Sequence, residues 1–229
     1  MYSKKDMEVS TKIVEIKLGD RLYPKMLSEI NDPPKSLFCR GNLELLNQPM
    51  TAVIGTRKPS EYGIQIAEKV SKHIAEGEIV VSGLAYGIDS IAHLACVEND
   101  GRTVAVLGSG VDDPSIYPQA HVGLANRIIA SGGLVISEYV AGSKPLKFHF
   151  PARNRIIAGL ASQVIVIEAG LESGTTITAN LALDYNREVW AVPGNIDSPQ
   201  SQGTNRLISE GAKPLVDIRQ IVIKERVGE

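Results

Sequence analysis

The chain has 229 residues, enough for one large domain with a sizeable core or for two small ones. Its 43% hydrophobic and 22% charged residues are ordinary for a soluble globular protein, and 24 basic against 26 acidic side chains leave a net charge of −2. That balance excludes a general basic coat for nucleic acid, so any polyanion site must be a local patch.

Met1 to Lys12 is charged and polar, unlike a signal peptide, Lys4 to Ser10 reads as a frayed end, and no apolar run approaches a membrane span. Residues 1–50 read as an irregular extension packed on the core, with turn-rich Tyr23-Pro24, Asn31-Asp32-Pro33-Pro34 and Arg40-Gly41-Asn42. From Thr51 a regular alternation begins and defines the main domain, residues 51–229. Strands are predicted over Thr51–Gly55, Glu78–Ser82, Thr103–Leu107, Leu134–Ser137, Val164–Ile167 and Glu188–Val192. Between and after them fall helices over Ser60–Ala75, Gly87–Val97, Pro118–Ala130, a Pro151 helix, Thr175–Asn186 and Asn205–Ser209, then a helical or mixed tail over Asp217–Arg226. Apolar strands alternating with helices imply an α/β fold: a Rossmann-like, doubly wound, mostly parallel sheet with helices on both faces. Ligands of such a sheet sit outside the carboxyl ends of its strands. Cys39 and Cys96 lack partners at metal-ligand spacing and read as free thiols of a reducing cytoplasm; no metal or cofactor is expected.

The densest chemistry lies in Phe148-His149-Phe150-Pro151-Ala152-Arg153-Asn154-Arg155-Ile156-Ile157. Pro151 suits a first helical turn, and two arginines crowding that turn oppose the helix dipole, which points to an anionic ligand. Ser173-Gly174-Thr175-Thr176 then opens a second helix, again the usual way an α/β sheet holds phosphate. Three more strand ends carry glycine turns: Gly55-Thr56-Arg57-Lys58, Ser82-Gly83 running to Gly87, and Gly108-Ser109-Gly110. None is a dinucleotide fingerprint, and the second strand lacks an acidic ribose ligand, so a nicotinamide dehydrogenase is disfavoured. Asp89 and His93 share a helical face as a catalytic or merely packed pair; no nucleophile obviously completes a triad. Asp112 and Asp113 read as turn formers. Phe148, Phe150 and Tyr117 are the rings available for stacking, with core packing the expectation for the two phenylalanines. Together the turns make a site too large for one nucleotide, suited to an extended phosphate backbone.

Taken in order, these pieces resemble the DNA-processing protein A (DprA/Smf) family. The resemblance is carried by Val53-Ile54-Gly55-Thr56-Arg57, Ser82-Gly83-Leu84-Ala85-Tyr86-Gly87-Ile88-Asp89, Ala105-Val106-Leu107-Gly108-Ser109-Gly110, Phe150-Pro151-Ala152-Arg153-Asn154-Arg155, Ser173-Gly174 and Ala191-Val192-Pro193-Gly194. It runs from about Tyr23 to Val216. It implies a cytoplasmic single-stranded-DNA-binding mediator that helps load RecA recombinase in natural transformation, usually a homodimer, with no catalytic activity. DNA would be held at Gly55, Thr56, Arg57, Ser82, Gly83, Gly87, Gly108, Arg153, Asn154, Arg155, Ser173, Gly174 and Thr175. Glu172 stands where the family often has Lys or Arg, and Gln119-Ala120-His121 follows Tyr117-Pro118 where an Asn and a cation are usual. Both imply weaker binding. The winged-helix-like C-terminal and helical N-terminal domains of many members are expected to be missing. The competing reading is a nucleotide-binding or nucleotide-hydrolysing enzyme related to lysine-decarboxylase-like phosphoribohydrolases. Against it, Gly170-Leu171-Glu172-Ser173-Gly174-Thr175-Thr176 lacks the Pro-Gly-Gly start and the Glu after Gly-Thr. An apolar stripe of Ile218, Ile221 and Val222 could serve an edge contact or pack on its own domain.

Overall fold

The computed structural model describes residues 12–223. Its centre is one nine-stranded sheet. In chain order the elements are β1 (Val14–Lys17), α1 (Lys25–Ser28), β2 (Ser36–Gly41), β3 (Met50–Ile54), α2 (Glu61–Ala75), β4 (Ile79–Ser82), α3 (Ile88–Val97), β5 (Thr103–Leu107), α4 (Val122–Ala130) and β6 (Leu134–Ser137). They continue with α5 (His149–Leu160), β7 (Gln163–Val166), α6 (Gly174–Asp184), β8 (Glu188–Ala191), α7 (Gln202–Ser209) and β9 (Lys213–Pro214). Short 3-10 turns cover Leu43–Asn47, Gln119–His121 and Ile218–Gln220.

The spatial order is β1-β2-β6-β5-β4-β3-β7-β8-β9, parallel from β6 to β9. The chain winds outward from β3 to β6. It then returns through α5, which lays β7 beside β3, and winds outward again to β9. The reversal makes the β3/β7 boundary the topological switch point, where the two following loops part and leave a crevice. Register follows from alternation. Ala52 and Ile54 face the layer of α1, α5, α6 and α7, while Val53 faces α2 and α3; Val104 and Val106 repeat the pattern against Ala105 and Leu107. All of these are buried, so a one-residue slip would put every one on the wrong face.

Residues 1–50 are not irregular where described. β1 and β2 add antiparallel to β6 at the sheet edge. Tyr23 donates its hydroxyl to the Pro34 carbonyl at 2.7 Å beneath them. The stretch Lys4–Ser10 lies outside the described residues. In the tail, Ile221 is buried and Ile218 partly buried against the α2 layer, whereas Val222 is 72% exposed, so the stripe packs mostly on its own domain. Residues beyond 223 lie outside the described ones. Among the described residues no helix is long and apolar enough to cross a membrane, and no cluster of His, Cys, Asp and Glu is arranged to hold a metal ion.

Candidate functional site

At the switch point the loops after β3, β4, β5 and β7 converge on α5 around a cleft of about 760 Å³. Gly55, Thr56 and Arg57 come to it from β3, Arg153 and Asn154 from α5, and Ser173, Gly174 and Thr175 from the start of α6. The first N–H groups of α6 have no intrahelical acceptor, and its dipole adds positive potential there. Ser173 caps that helix in a reciprocal box with Thr176, and the Asn154 amide donates to the Gly174 carbonyl at 3.2 Å. Asn154 therefore docks the two helices at the cleft wall.

Arg153 is 5% exposed and forms the floor. Its Nη1 donates to the Val106 carbonyl at 2.7 Å, and its buried Nε has no hydrogen-bond partner among the described residues. The guanidinium lies where a Cβ on Gly83 would be, so only glycine leaves it room. Buried beside it is Asp89. Burial pushes the Asp89 carboxyl above its ordinary value, against the pull of the Arg153 charge and of backbone N–H hydrogen bonds from Ala85 and Gly83. Burial likewise lowers the Arg153 guanidinium, with Asp89 opposing and Arg57 reinforcing. The two buried charges offset each other, so the cleft's free positive charge comes from its rim. That rim carries exposed Arg57, Lys58 and Lys147.

Aromatic rings sit beside these cations. The Arg57 guanidinium carbon is 5.9 Å from the Phe150 ring centre, and Phe150 lies 5.5 Å from Tyr117. A smaller slot opens off the cleft between Tyr86, Tyr117 and Phe150, with Gly83 and Gly108 in its walls. The expected core packing of the phenylalanines is overturned. Phe148 is 68% exposed and Phe150 lines both cavities, because they fall at the N-cap and in the first turn of α5.

Of the thirteen expected contacts, Gly83 and Gly108 line the slot only, and three line neither the cleft nor the slot. Ser82 is buried and donates to the Val53 carbonyl at 2.7 Å. Gly87, at φ +78°, lets the start of α3 press against the Thr56 carbonyl and Arg57 backbone, where a Cβ would collide. Arg155 forms a two-pronged ion pair with Glu138, both contacts 2.7 Å, and donates from Nε to the Asp32 carbonyl at 2.9 Å. The reason is helical geometry: residues two apart point about 200° away from each other, so Arg153 and Arg155 cannot share a face. The helix also begins at His149, two residues before Pro151, which puts the Arg-Asn-Arg run in the second turn.

Asp89 and His93 do not pair either: His93 binds the Thr103 hydroxyl at 2.7 Å. Asp112 and Asp113 do more than form turns. Asp113 holds Arg40 of β2 at 2.5 Å, and Asp112 accepts from the Gly142 N–H at 2.8 Å. Sequence reasoning passed over Lys147 and Thr178, which also line the cleft. The position of Lys147 directly before Phe148 was the available signal.

Fold and cleft together define a doubly wound α/β protein with a ring-lined cleft, cationic at its rim, at the switch point. The DNA recombination-mediator protein A family profile matches residues 15–226. The chain belongs to that family. It is 49% identical over 206 residues to the DNA processing protein DprA of Streptococcus pneumoniae, covering 90% of this chain and 72% of that one. The X-ray structure of the pneumococcal protein superposes with a TM-score of 0.85 over 93% of this chain and 74% of that chain, at 45% identity. A Helicobacter pylori DNA processing protein A, described for its unique single-stranded DNA binding mode, superposes with a TM-score of 0.82 at 32% identity, over 93% and 94% of the two chains.

Proposed function

We propose that the cleft binds single-stranded DNA along its sugar-phosphate backbone and that the protein acts as a recombination mediator. The observation that carries this is the pairing of rim cations with aromatic rings that line the same cleft. Arg57, Lys58 and Lys147 border the same cleft as Phe150 and Tyr117. Charges that track a backbone beside rings that stack on bases are what an unpaired strand requires, with little sequence preference. The single-stranded DNA binding described for the Helicobacter pylori relative supports this reading. By the same reading the protein works as a cytoplasmic homodimer, delivers its strand to RecA recombinase and performs no chemical step. No glutamate follows Gly174-Thr175 in the first turn of α6, where Thr176 instead closes the capping box, which favours binding over hydrolysis.

The test is fluorescence anisotropy of labelled oligo-dT at two salt concentrations, with unlabelled duplex as competitor. Wild type should bind, resist duplex and weaken with salt. Arg57→Ala should lose affinity and flatten the log–log salt slope by about 0.7, one phosphate contact on a single strand. Tight binding of free nucleotide with none of oligo-dT would refute the reading.

A further inference from the structure

We propose that Glu168 is the positioning residue of the cleft, fixing the loop that presents Arg57 and Lys58; the inference rests on the single-stranded-DNA reading above. Glu168 follows β7, on the opposite side of the switch point from that loop, and is 2% exposed. It grips the loop at both ends. The Thr56 N–H donates to its backbone carbonyl at 2.8 Å. The Ser60 N–H donates to Oε2 at 2.9 Å and the Ser60 hydroxyl to Oε1 at 2.5 Å. Between these anchors lie only Arg57, Lys58 and Pro59.

The carboxylate sits at the N-terminus of α2, where a negative charge is favoured and where a ligand anion would otherwise settle. Glu168 thus fills that anion site from inside the fold, leaving the phosphate to the two cations it holds in place. Gly63 completes the device. A Cβ there would occupy the position of the Glu168 carboxylate, so the first turn of α2 keeps a glycine although alanine is the better helix former. Hydrogen bonds to an ionised acceptor are about twice as strong as neutral ones, so an amide at this position should grip the loop less firmly.

The experiment is oligo-dT anisotropy with wild type, Glu168→Gln, Gly63→Ala, Arg57→Ala/Lys58→Ala and the combined variants. Glu168→Gln should weaken binding roughly tenfold through lost preorganisation. The same change in the Arg57→Ala/Lys58→Ala background should cost under about twofold, since nothing remains to be positioned. Gly63→Ala, which retains Glu168, should reproduce the first effect and also serves if Glu168→Gln folds poorly. Equal losses in both backgrounds, or none in either, would overturn the inference. Amide exchange of the 55–60 segment reads the loop independently of DNA. Exchange should accelerate there in Glu168→Gln while the body of α2 is unchanged; unaltered exchange would also overturn the inference. A wild-type protein that ignores oligo-dT removes the DNA reading, and exchange then still decides whether Glu168 holds the loop.

Discussion

The floor of the cleft depends on one buried residue. Arg153 fits because Gly83 has no side chain, and its charge is offset by Asp89, which is itself buried. Removing one member of a buried charge pair is far worse than removing both, because the survivor is left without compensation. Arg153→Met should therefore lower unfolding free energy by about 3 kcal/mol in urea titrations at neutral pH. The sign of its pH dependence follows from Asp89. A carboxyl raised above 3.8 in the fold keeps its proton there more readily than in the unfolded chain, so its unfavourable contribution appears as pH rises through the folded value and is relieved in acid. The defect of Arg153→Met should thus shrink toward acid pH, and Asp89→Asn added to it should recover most of the loss. A double variant as unstable as the single one would show that the two residues act apart. At this scale the sequence identified Arg57 and Arg153 but grouped Arg155 with them. Adjacency in a run of three says nothing about facing until the helix phase is known.

Helices and strands were more legible, and for a reason visible in β3 to β8. Each is a short apolar run with a helix-period segment after it, and β3 to β6 end at glycine or serine, so burial on both faces dictates the reading. β1 was missed although Val14-Glu15-Ile16-Lys17 alternates, because a four-residue strand at an edge gives too little pattern to outweigh its turn-rich neighbours. β9 was invisible, with only Lys213 and Pro214 to declare it. The docking of α3 leaves a measurable trace. His93 is wholly buried against β5 and bonds the Thr103 hydroxyl. Burial, then the nearby charges of His121 and Arg153, pushes its imidazole from 6.5 down to about 3. Below pH 6.5 the unfolded chain takes a proton that the folded one refuses until about pH 3, so stability is present at neutral pH and lost as pH falls through that window. His93→Gln removes the titration. Relative to wild type it should lose about 2–3 kcal/mol less stability between pH 7 and 4.5, by urea unfolding at each pH. Parallel losses in the two proteins would place the acid sensitivity elsewhere.

For the whole molecule, the governing fact is that a chain of net charge −2 must attract a polyanion through one small region. Long-range attraction is therefore weak, and binding depends on contacts made within a Debye length of about 8 Å. Among the described residues, the free cations lining the cleft are Arg57, Lys58 and Lys147, since Arg153 is offset by Asp89 and Arg155 is held by Glu138. If each neutralises one phosphate, log affinity for oligo-dT should fall against log salt with a slope of about −2. Glu172 is exposed, immediately precedes the Ser173 cap of α6, and its charge is felt by Arg206. Its negative charge works against the helix N-terminus that borders the cleft. Two substitutions separate repulsion from contact. Glu172→Gln should strengthen binding and leave the slope unchanged, because it removes an opposing charge without adding a phosphate partner. Glu172→Lys should strengthen binding further and steepen the slope by about 0.7, the increment of one added contact on a single strand. Equal affinity and equal slope in the two variants would show that a side chain at position 172 does not reach the strand.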